Sequence, residues 1–184
     1  MRKVIAAINM TLDGFCDHTA GIADDALHQH YTDMLRHAGT LLYGRVTYQL
    51  MESFWPNVVK NPTGNPAYDE FATAIEEVPK VVFSRALKNT AWKNVRLAQR
   101  DLAEEVLALR RETGKDIFVG SPGLIAALTD LGLIQEYQLC IHPVILGKGL
   151  PLFKQISEKR ILKLTNTKIF SSGSIVLYYG VGKE

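Results

Sequence analysis

The sequence predicts an α/β fold with a mainly parallel sheet and an antiparallel C-terminal edge. Short apolar runs are usually followed by helix-like stretches, a pattern typical of parallel sheets. The runs cover Val4 to Ile8, Thr40 to Tyr43, Lys80 to Phe83 and Asp116 to Val119. In the last third, strand-like segments 161–170 and 174–181 flank Ser171-Ser172-Gly173, which indicates an antiparallel hairpin. Antiparallel edges on parallel sheets are common.

Periodicity and capping residues place the elements of the first half. Asp24 or Asp25 can cap a helix, because a carboxylate accepts hydrogen bonds from free backbone N–H groups. Gly39 is predicted to end that helix. Three prolines and a glycine between Trp55 and Pro66 predict a loop. The predicted order is strand 2–9, loop 10–23, helix 24–36, strand 40–43, helix 46–53, loop 55–66, helix 67–77 and strand 80–83.

The second half continues the pattern before it changes to antiparallel strands. Asp101 can cap a helix with Leu102, Val106 and Leu109 on one face. Pro122 suits the first turn of a further helix, where its missing N–H group costs nothing. The predicted strands of this half are 95–98, 117–119 and 137–145, followed by the two strands of the hairpin.

Composition indicates a single soluble domain, and we expect residues 1–184 to form one unit. The net charge of +2 is too small to indicate a nucleic acid or an anionic membrane as partner. No apolar run approaches the ~20 residues that span a bilayer, and no signal-peptide cleavage site is seen, so a cytoplasmic location is expected. Cys16 and Cys140 form no CxxC motif, so neither a disulfide framework nor a zinc site is predicted.

Small or basic polar clusters follow the four apolar runs. In a parallel sheet these clusters lie together at the carboxyl ends of the strands, where ligands bind. Glycines allow a backbone to approach phosphate closely, and arginines bind phosphate through paired N–H groups. The pattern therefore indicates a nucleotide-type ligand. The clusters are Asp13-Gly14, Gly44-Arg45, Ser84-Arg85 and Gly120-Ser121-Pro122-Gly123.

Other motifs do not support a different chemistry. Gly147-Lys148-Gly149 lacks the Ser or Thr and the upstream glycine of a phosphate-binding Walker A loop, and it is predicted to be a simple loop. The cluster around Ser121 is neither a GxSxG nor a GxGxxG motif, so Ser121 is a poor candidate nucleophile. His28 and His30 are two residues apart and would face different sides of a helix, so no metal site is predicted.

Five segments in order resemble the dihydrofolate-reductase-like superfamily. Within it, the chain is similar to the reductase domain at the C-terminus of bifunctional riboflavin-biosynthesis deaminase–reductases, in a stand-alone form. Each segment is a weak signal alone, but the ordered set spans nearly the whole chain. The segments are Ala7 to Phe15, Leu42 to Tyr48, Pro79 to Arg85, Ile117 to Ser121, and Leu133 to Tyr137 leading into His142 to Phe153.

The resemblance implies a three-layer, dihydrofolate-reductase-like mixed sheet that binds NADPH at the strand ends. It places Gly44, Arg45, Val46 and Thr47 under the cofactor phosphates, and Ser84 and Arg85 at the 2′-phosphate of the adenosine. It places Ala7 and Gly14 beside the nicotinamide. The remaining cofactor-binding residues that it implies, around the pyrophosphate and nicotinamide, are Gly120, Ser121, Pro122, Gly123 and Leu124. The family often has two glycines at Gly120-Ser121 and an Asp-Glu pair at Gln135-Glu136, so the chain departs from it there.

Asp13 is the candidate catalytic residue, as a proton donor beside the predicted nicotinamide. Asp-Gly is also a strong turn former, so a purely structural role for Asp13 stays open. Phe15, His28, Tyr31 and Trp55 could line a pocket for a flat heterocyclic substrate, although aromatic residues at such positions are more often core. The resemblance implies that true dihydrofolate reductases carry a carboxylate on the first helix, at the position where this chain has His28. Dihydrofolate is therefore not the expected substrate.

The sequence thus predicts an NADPH-dependent reductase of a small heterocycle, or of another imine or carbonyl compound. One alternative is the 5-amino-6-(5-phosphoribosylamino)uracil reductase of riboflavin biosynthesis, although no additional phosphate-binding cluster is evident. Another alternative is a non-catalytic NADPH-binding dimer. The alternative that the glycines are plain turns and the arginines solvated charges stays open. A homodimer is expected from the resemblance and from the apolar late strands.

Overall fold

The computed structural model describes residues 1–22, 24–154 and 156–182. Eight strands form one sheet in the order β4-β3-β2-β5-β1-β6-β8-β7. The strands are β1 Val4–Thr11, β2 Ala38–Gly44, β3 Lys80–Phe83, β4 Val95–Leu97, β5 Asp116–Val119, β6 Glu136–His142, β7 Leu162–Ile169 and β8 Ile175–Val181. The helices are α1 Asp25–His37, α2 Arg45–Glu52, α3 Trp55–Lys60, α4 Pro66–Glu77, α5 Leu102–Arg111 and α6 Pro122–Asp130.

The sheet is parallel from β4 to β6, and β8 and β7 are antiparallel to their neighbours. This confirms the predicted mixed sheet with an antiparallel C-terminal edge. The hairpin between β7 and β8 turns through the predicted Ser171-Ser172-Gly173 segment, where Gly173 has a φ of 82°. The four apolar runs that defined the pattern lie in β1, β2, β3 and β5, which are all mutually parallel.

Alternation along the central strands divides the core into two layers. Val4, Ala6 and Ile8 of β1 pack on the face covered by α5 and α6. Ile5 and Ala7 lie on the opposite face, in the cluster that includes residues of α1, α2 and α4. Because successive side chains of a strand point to opposite faces, a strand with helices on both sides is apolar throughout. The run Val4 to Ile8 is accordingly buried at every position.

Two predicted boundaries need correction. Trp55–Lys60 is a helix, α3, and not part of a loop; Pro56 stands in its first turn, where proline is compatible with a helix. Gly39 does not end α1, which stops at His37, and instead lies inside β2. A Cβ on Gly39 would lie 2.5 Å from the Lys115 carbonyl oxygen, so close packing and not helix termination explains this glycine.

Candidate active site at the carboxyl ends of the strands

β1 extends past its short neighbour β5 at the carboxyl end of the sheet, and we call the gap that this leaves beside β1 the crevice. The pairing of β1 with β5 ends at Ala6 and Val119, whereas β1 continues to Thr11. On its other side β1 remains paired with β6 along this whole extension. After β5 the chain passes through Gly120 into α6. Such openings at the carboxyl ends of parallel strands are where ligands bind in α/β sheets.

Two helix N-termini meet at this crevice. The strands β2 and β5 are neighbours, and the helices α2 and α6 follow them directly. The Gly44 N–H donates a hydrogen bond of 2.9 Å to the Ser121 hydroxyl oxygen, so the two first turns are in contact. Neither helix has a side-chain N-cap, because Gly44 has no side chain and Ser121 binds Gly44 instead of its own helix.

The other long helices contrast with this pair. Each is capped by the side chain of the residue before it, which accepts a hydrogen bond from a first-turn N–H group. These caps are Asp24 for α1, Asn65 for α4 and Asp101 for α5. The free N–H groups and positive dipole ends of α2 and α6 therefore remain available at one place, an arrangement that favours an anion.

Glycines at these two N-termini are not required by the fold. Gly44 has a φ of −78°, and a Cβ there would meet its nearest neighbours at 3.9 Å, an ordinary contact distance. A Cβ on Gly123 would meet nothing within 4 Å. Glycine inside a helix costs about 1 kcal/mol relative to alanine, so Gly123 carries a cost without a packing benefit. Gly123 leaves open space above the backbone where a ligand could approach, and Gly44 lies beside Leu124 and Ser121 of the same turn.

The remaining residues predicted to bind phosphate lie in the first turn of α2 and in the turn after β3, the strand next to β2. Arg45 and Val46 are exposed in the first turn of α2, with Thr47 half-buried beside them. Arg45 donates to the Gln49 side chain at 3.1 Å. Ser84 follows β3, the strand next to β2, and its hydroxyl oxygen accepts from the backbone N–H groups of the next turn. Arg85 is exposed in that turn, at the end of the strand adjacent to the α2 N-terminus.

The residues predicted beside the nicotinamide lie along the other side of the crevice. A Cβ on Gly120 would lie 3.7 Å from the Ala7 carbonyl oxygen, so β1 and the α6 turn approach closely here. Pro122 and Leu124 continue the first turn of α6. The Gly120–Ser121 peptide bond is trans. Gly14 has a φ of 89°, a conformation that favours glycine, and its carbonyl accepts from Leu152 N–H at 3.1 Å.

Asp13 ties two loops together at the end of β1. Its exposed carboxylate accepts hydrogen bonds from the Thr11 hydroxyl at 2.6 Å and from Gly147 N–H at 2.7 Å. Leu146 N–H donates to the same group at 3.1 Å. These bonds, led by the one from Thr11, lower the pKa of Asp13 below its ordinary value, because they stabilise the charged form. Gly147 and Gly149 lie in the loop after β6, as the sequence predicted.

The four predicted substrate-binding residues do not form one group. His28 of α1 stacks on Tyr68 with ring centroids 4.2 Å apart, and Trp55 of α3 packs on Phe71 at 4.4 Å. Trp55 also approaches Tyr68, at 6.4 Å, so these rings form one aromatic cluster between α1, α3 and α4. His28 and Trp55 are thus joined through Tyr68 and Phe71 of α4, which were not among the predicted substrate-binding residues.

Tyr31 and Phe15 lie elsewhere. The Tyr31 hydroxyl donates to Asn9 Oδ1 at 2.8 Å, at the carboxyl end of β1. Burial raises the pKa of Tyr31 well above its ordinary value, so this hydroxyl keeps its proton. Phe15 forms an isolated bridge with Pro151, which places it on the loop after β6. Tyr31 therefore borders the crevice, whereas Phe15 helps to close the loops anchored by Asp13.

A polar group that the sequence did not indicate lies between β1, β6 and α1. Asn9 is exposed although it follows five buried residues of the central strand β1. His142 at the end of β6 is buried, and its Nε2 lies 3.0 Å from Asn9 Oδ1. Burial lowers the pKa of His142, which favours the neutral ring. Asn9 comes two residues after Ala7, so both lie on the same face of the strand. A polar residue at such a position in an apolar run is the signal that could have identified Asn9.

A cavity of about 500 Å³ lies at the opposite, amino end of the sheet. Its buried basic side chains are already bonded within the protein: Arg2 donates to the Lys115 carbonyl and to the Thr40 hydroxyl, and Lys80 donates to the Val78 carbonyl. These contacts stabilise the amino end of the sheet and occupy the basic groups of Arg2 and Lys80. In the described ranges, no helix is long and apolar enough to cross a membrane, and no cluster of three His, Cys, Asp or Glu side chains could hold a metal ion.

Comparison with known proteins agrees with this architecture. The chain is 34% identical over 182 residues to the uncharacterized protein YyaP of Bacillus subtilis (strain 168), covering 97% of this chain and 94% of that protein. A crystal structure of a putative riboflavin biosynthesis protein from Shewanella sp. PV-4 superposes with a TM-score of 0.75 at 17% identity, covering 98% and 99% of the two chains.

A dihydrofolate reductase from Enterococcus faecalis, solved in complex with NADP(H), superposes with a TM-score of 0.66 at 13% identity, covering 98% of this chain and 97% of that one. The fold is therefore dihydrofolate-reductase-like, as the sequence predicted. A sequence profile of the RibD C-terminal domain matches residues 2–178, which is nearly the whole chain. On that match, the chain belongs to the RibD C-terminal domain family.

Proposed function

We propose that the protein is an NADPH-dependent reductase that transfers a hydride to a small heterocycle, or to another imine or carbonyl compound. The observation that carries the proposal is the meeting of two uncapped helix N-termini, α2 and α6, through the Gly44–Ser121 hydrogen bond. Membership of the RibD C-terminal domain family and the dihydrofolate-reductase-like fold support a reductase. A dinucleotide has the two linked phosphates that such a pair of N-termini suits.

The residues present fit this cofactor. The open space above Gly123 and the free N–H groups of the first turns of α2 and α6 would take the pyrophosphate. Arg45 and Arg85 would bind the 2′-phosphate, because a guanidinium binds phosphate through two parallel hydrogen bonds. When bound, NADPH supplies the hydride, and the protein positions it and excludes water. Ala7 and Gly120 would border the nicotinamide in the crevice beside β1.

The substrate would enter from the face of the sheet covered by α1. Tyr31 lies at the carboxyl end of β1 on this face, and the cluster that contains His28 and Trp55 lies between α1, α3 and α4. Flat aromatic rings suit a flat heterocycle. The riboflavin-pathway reduction is the less favoured alternative, because its substrate carries a ribose phosphate that needs a further cluster of basic residues.

Calorimetric titration with NADPH and NADH tests the cofactor, and NADPH oxidation with a panel of heterocycles tests the reaction. We expect NADPH to bind much more tightly than NADH. Oxidation of NADPH by at least one heterocycle would separate the reductase from the non-catalytic NADPH-binding alternative. Equal affinity for both cofactors, or no binding of either, would contradict the proposal. Crystals soaked with NADPH and the active heterocycle would then show which side chains face the nicotinamide.

The sequence indicates Asp13 as the candidate catalytic residue. Its hydrogen bonds to Thr11, Leu146 and Gly147 favour a role in anchoring the loop after β6 over a role in proton donation. In Asp13→Asn the amide nitrogen cannot accept the hydrogen bonds that the second carboxylate oxygen accepts. We expect faster hydrogen exchange of the Leu146 and Gly147 amides and a loss in turnover of less than about tenfold. A general acid contributes about 10² to 10⁴, so a loss of that size in kcat with unchanged exchange would restore the proton-donor role. Asp17→Asn, in the same loop, is the matched control.

We also propose a homodimer that forms through the edge strand β7. Seven of its eight residues are exposed, and Leu164 and Ile169 are 49% and 73% exposed. An open edge strand offers unpaired backbone groups to a second chain, and exposed apolar side chains add to the contact. Light scattering should give the mass of a dimer for the parent protein and of a monomer for Ile169→Asp. A monomeric parent protein would rule out this proposal without affecting the cofactor site.

A further inference from the structure

Asn9 occupies an unusual position for a polar residue in a central strand. It is exposed, although the five preceding residues of β1 are buried. Since side chains alternate along a strand, Asn9 lies on the same face as Ala7, the face covered by α1. The pairing of β1 with β5 stops at Ala6, so Asn9 borders the open crevice. Asn9 therefore lies on the α1 face of the sheet, two residues beyond Ala7, which is proposed to border the nicotinamide.

The hydrogen bonds around His142 fix which way the Asn9 amide is turned. The Ile22 backbone N–H donates to His142 Nδ1 at 3.0 Å, so Nδ1 carries no proton and the neutral ring is protonated at Nε2. Nε2 lies 3.0 Å from one atom of the Asn9 amide and 3.7 Å from Cys140 Sγ. Because Nε2–H is a donor, the amide atom facing it must be the acceptor, Oδ1. The Tyr31 hydroxyl also donates to Oδ1, at 2.8 Å.

The same hydrogen bonds engage only the amide oxygen of Asn9 and not its amide nitrogen. With Oδ1 held by Tyr31 and His142, the NH₂ group points away from both. Across residues 1–22, 24–154 and 156–182, no group accepts a hydrogen bond from Asn9 Nδ2. A fixed donor of this kind at the edge of a crevice loses little entropy when it binds a ligand, which makes it suited to recognition.

We propose that Asn9 is a specificity-determining residue whose NH₂ group donates to an acceptor atom of the substrate, so that the site selects oxo-heterocycles over amino-heterocycles. This inference rests on the proposed function for the identity of the crevice as the substrate site. An oxo group accepts the hydrogen bond from Nδ2, whereas an amino group at the same place would put two donors in contact. A donor that a bound ligand covers without offering an acceptor is costly, which is the physical source of the selectivity.

Asn9→Asp tests the donor because it replaces the NH₂ group by an acceptor of the same size, together with one negative charge. One carboxylate oxygen can keep the hydrogen bonds from Tyr31 and His142, while the other replaces the NH₂ group by an acceptor. The two probes are uracil, whose pyrimidine ring carries two oxo acceptors and two N–H groups, and 2,4-diaminopyrimidine, whose ring carries two amino donors and two acceptor nitrogens. Binding of each is titrated by NMR, with and without NADPH. Asn166→Asp, on the distant strand β7, is the matched control for the same change of residue.

We expect the parent protein and Asn166→Asp to bind uracil about tenfold more tightly than 2,4-diaminopyrimidine, and Asn9→Asp to reverse the order. The Asn9 side-chain NH₂ resonances of the parent protein should shift with uracil, a result that needs no variant. Equal affinities in the parent protein, an unchanged ratio in Asn9→Asp, or no binding of either probe would overturn the inference. Failure of the proposed function is distinguishable, because it would appear as absent NADPH binding in the same samples.

Discussion

Gly44→Asp is expected to abolish tight binding of NADPH while leaving the fold intact or slightly more stable. Gly44 is the N-cap residue of α2 with extended backbone angles, and a Cβ there would make only ordinary contacts. Aspartate is a better N-cap than glycine and also interacts favourably with the helix dipole, so stability should rise by a few tenths to about 1 kcal/mol. The same carboxylate would lie where the phosphates bind.

Repulsion between like charges in such a site costs several kcal/mol, so the affinity for NADPH should fall by more than about a hundredfold. Calorimetry measures the dissociation constant, and thermal unfolding measures the stability. Asn65→Asp places the same charge at the N-cap of α4 and should leave NADPH binding unchanged. Gly44→Ala separates the effect of a Cβ from that of the charge. An unchanged NADPH affinity in Gly44→Asp would remove the α2 N-terminus from the cofactor site.

Arg85→Ala is expected to weaken NADPH binding by about 10-fold to 100-fold and to leave NADH binding nearly unchanged. A hydrogen bond to a charged group contributes about 1.5–3 kcal/mol, and the 2′-phosphate is the only group that distinguishes the two cofactors. Arg85 is exposed in the turn after β3, beside the strand that leads to Gly44. The loss should therefore be confined to the phosphorylated cofactor.

Parallel titrations of both cofactors into Arg85→Ala, Arg45→Ala and the double variant would measure how the two arginines share this task. Arg111→Ala, at the C-terminal end of α5, is the matched control and should bind both cofactors as the parent protein does. An equal loss for NADPH and NADH in Arg85→Ala would mean that Arg85 does not bind the 2′-phosphate. Increasing salt should reduce the difference between NADPH and NADH, because exposed charges are screened.

The strands and most helices could be predicted because their signals are local. The apolar runs gave β1, β2, β3 and β5 to within a few residues, and Asp24 and Asp101 cap the helices that they were expected to cap. The helix α3 was missed because Pro56 reads as a loop former, whereas the first turn of a helix tolerates it. The clusters after the strands were placed at one end of the sheet by the parallel pattern alone.

The arrangement of the candidate substrate residues could not be predicted in this way. His28, Tyr31, Phe15 and Trp55 were grouped because aromatic residues suit a heterocycle, but their positions depend on how α1, α3 and α4 pack together. Asp13 was identified as a candidate acid, yet the N–H groups that stabilise its charge come from Leu146 and Gly147, more than a hundred residues away. No local pattern contains such a contact.

The sheet, the loops at its carboxyl edge and the glycines and arginines that lie there could be deduced from the amino-acid sequence, because hydrophobic periodicity and turn residues act over short distances. The meeting of the α2 and α6 N-termini through Gly44 and Ser121 depends on the folded chain. So does the holding of Asn9 by Tyr31 and His142. These contacts join residues far apart in the chain, and hydrogen-bond geometry is fixed only once the helices have packed on the sheet.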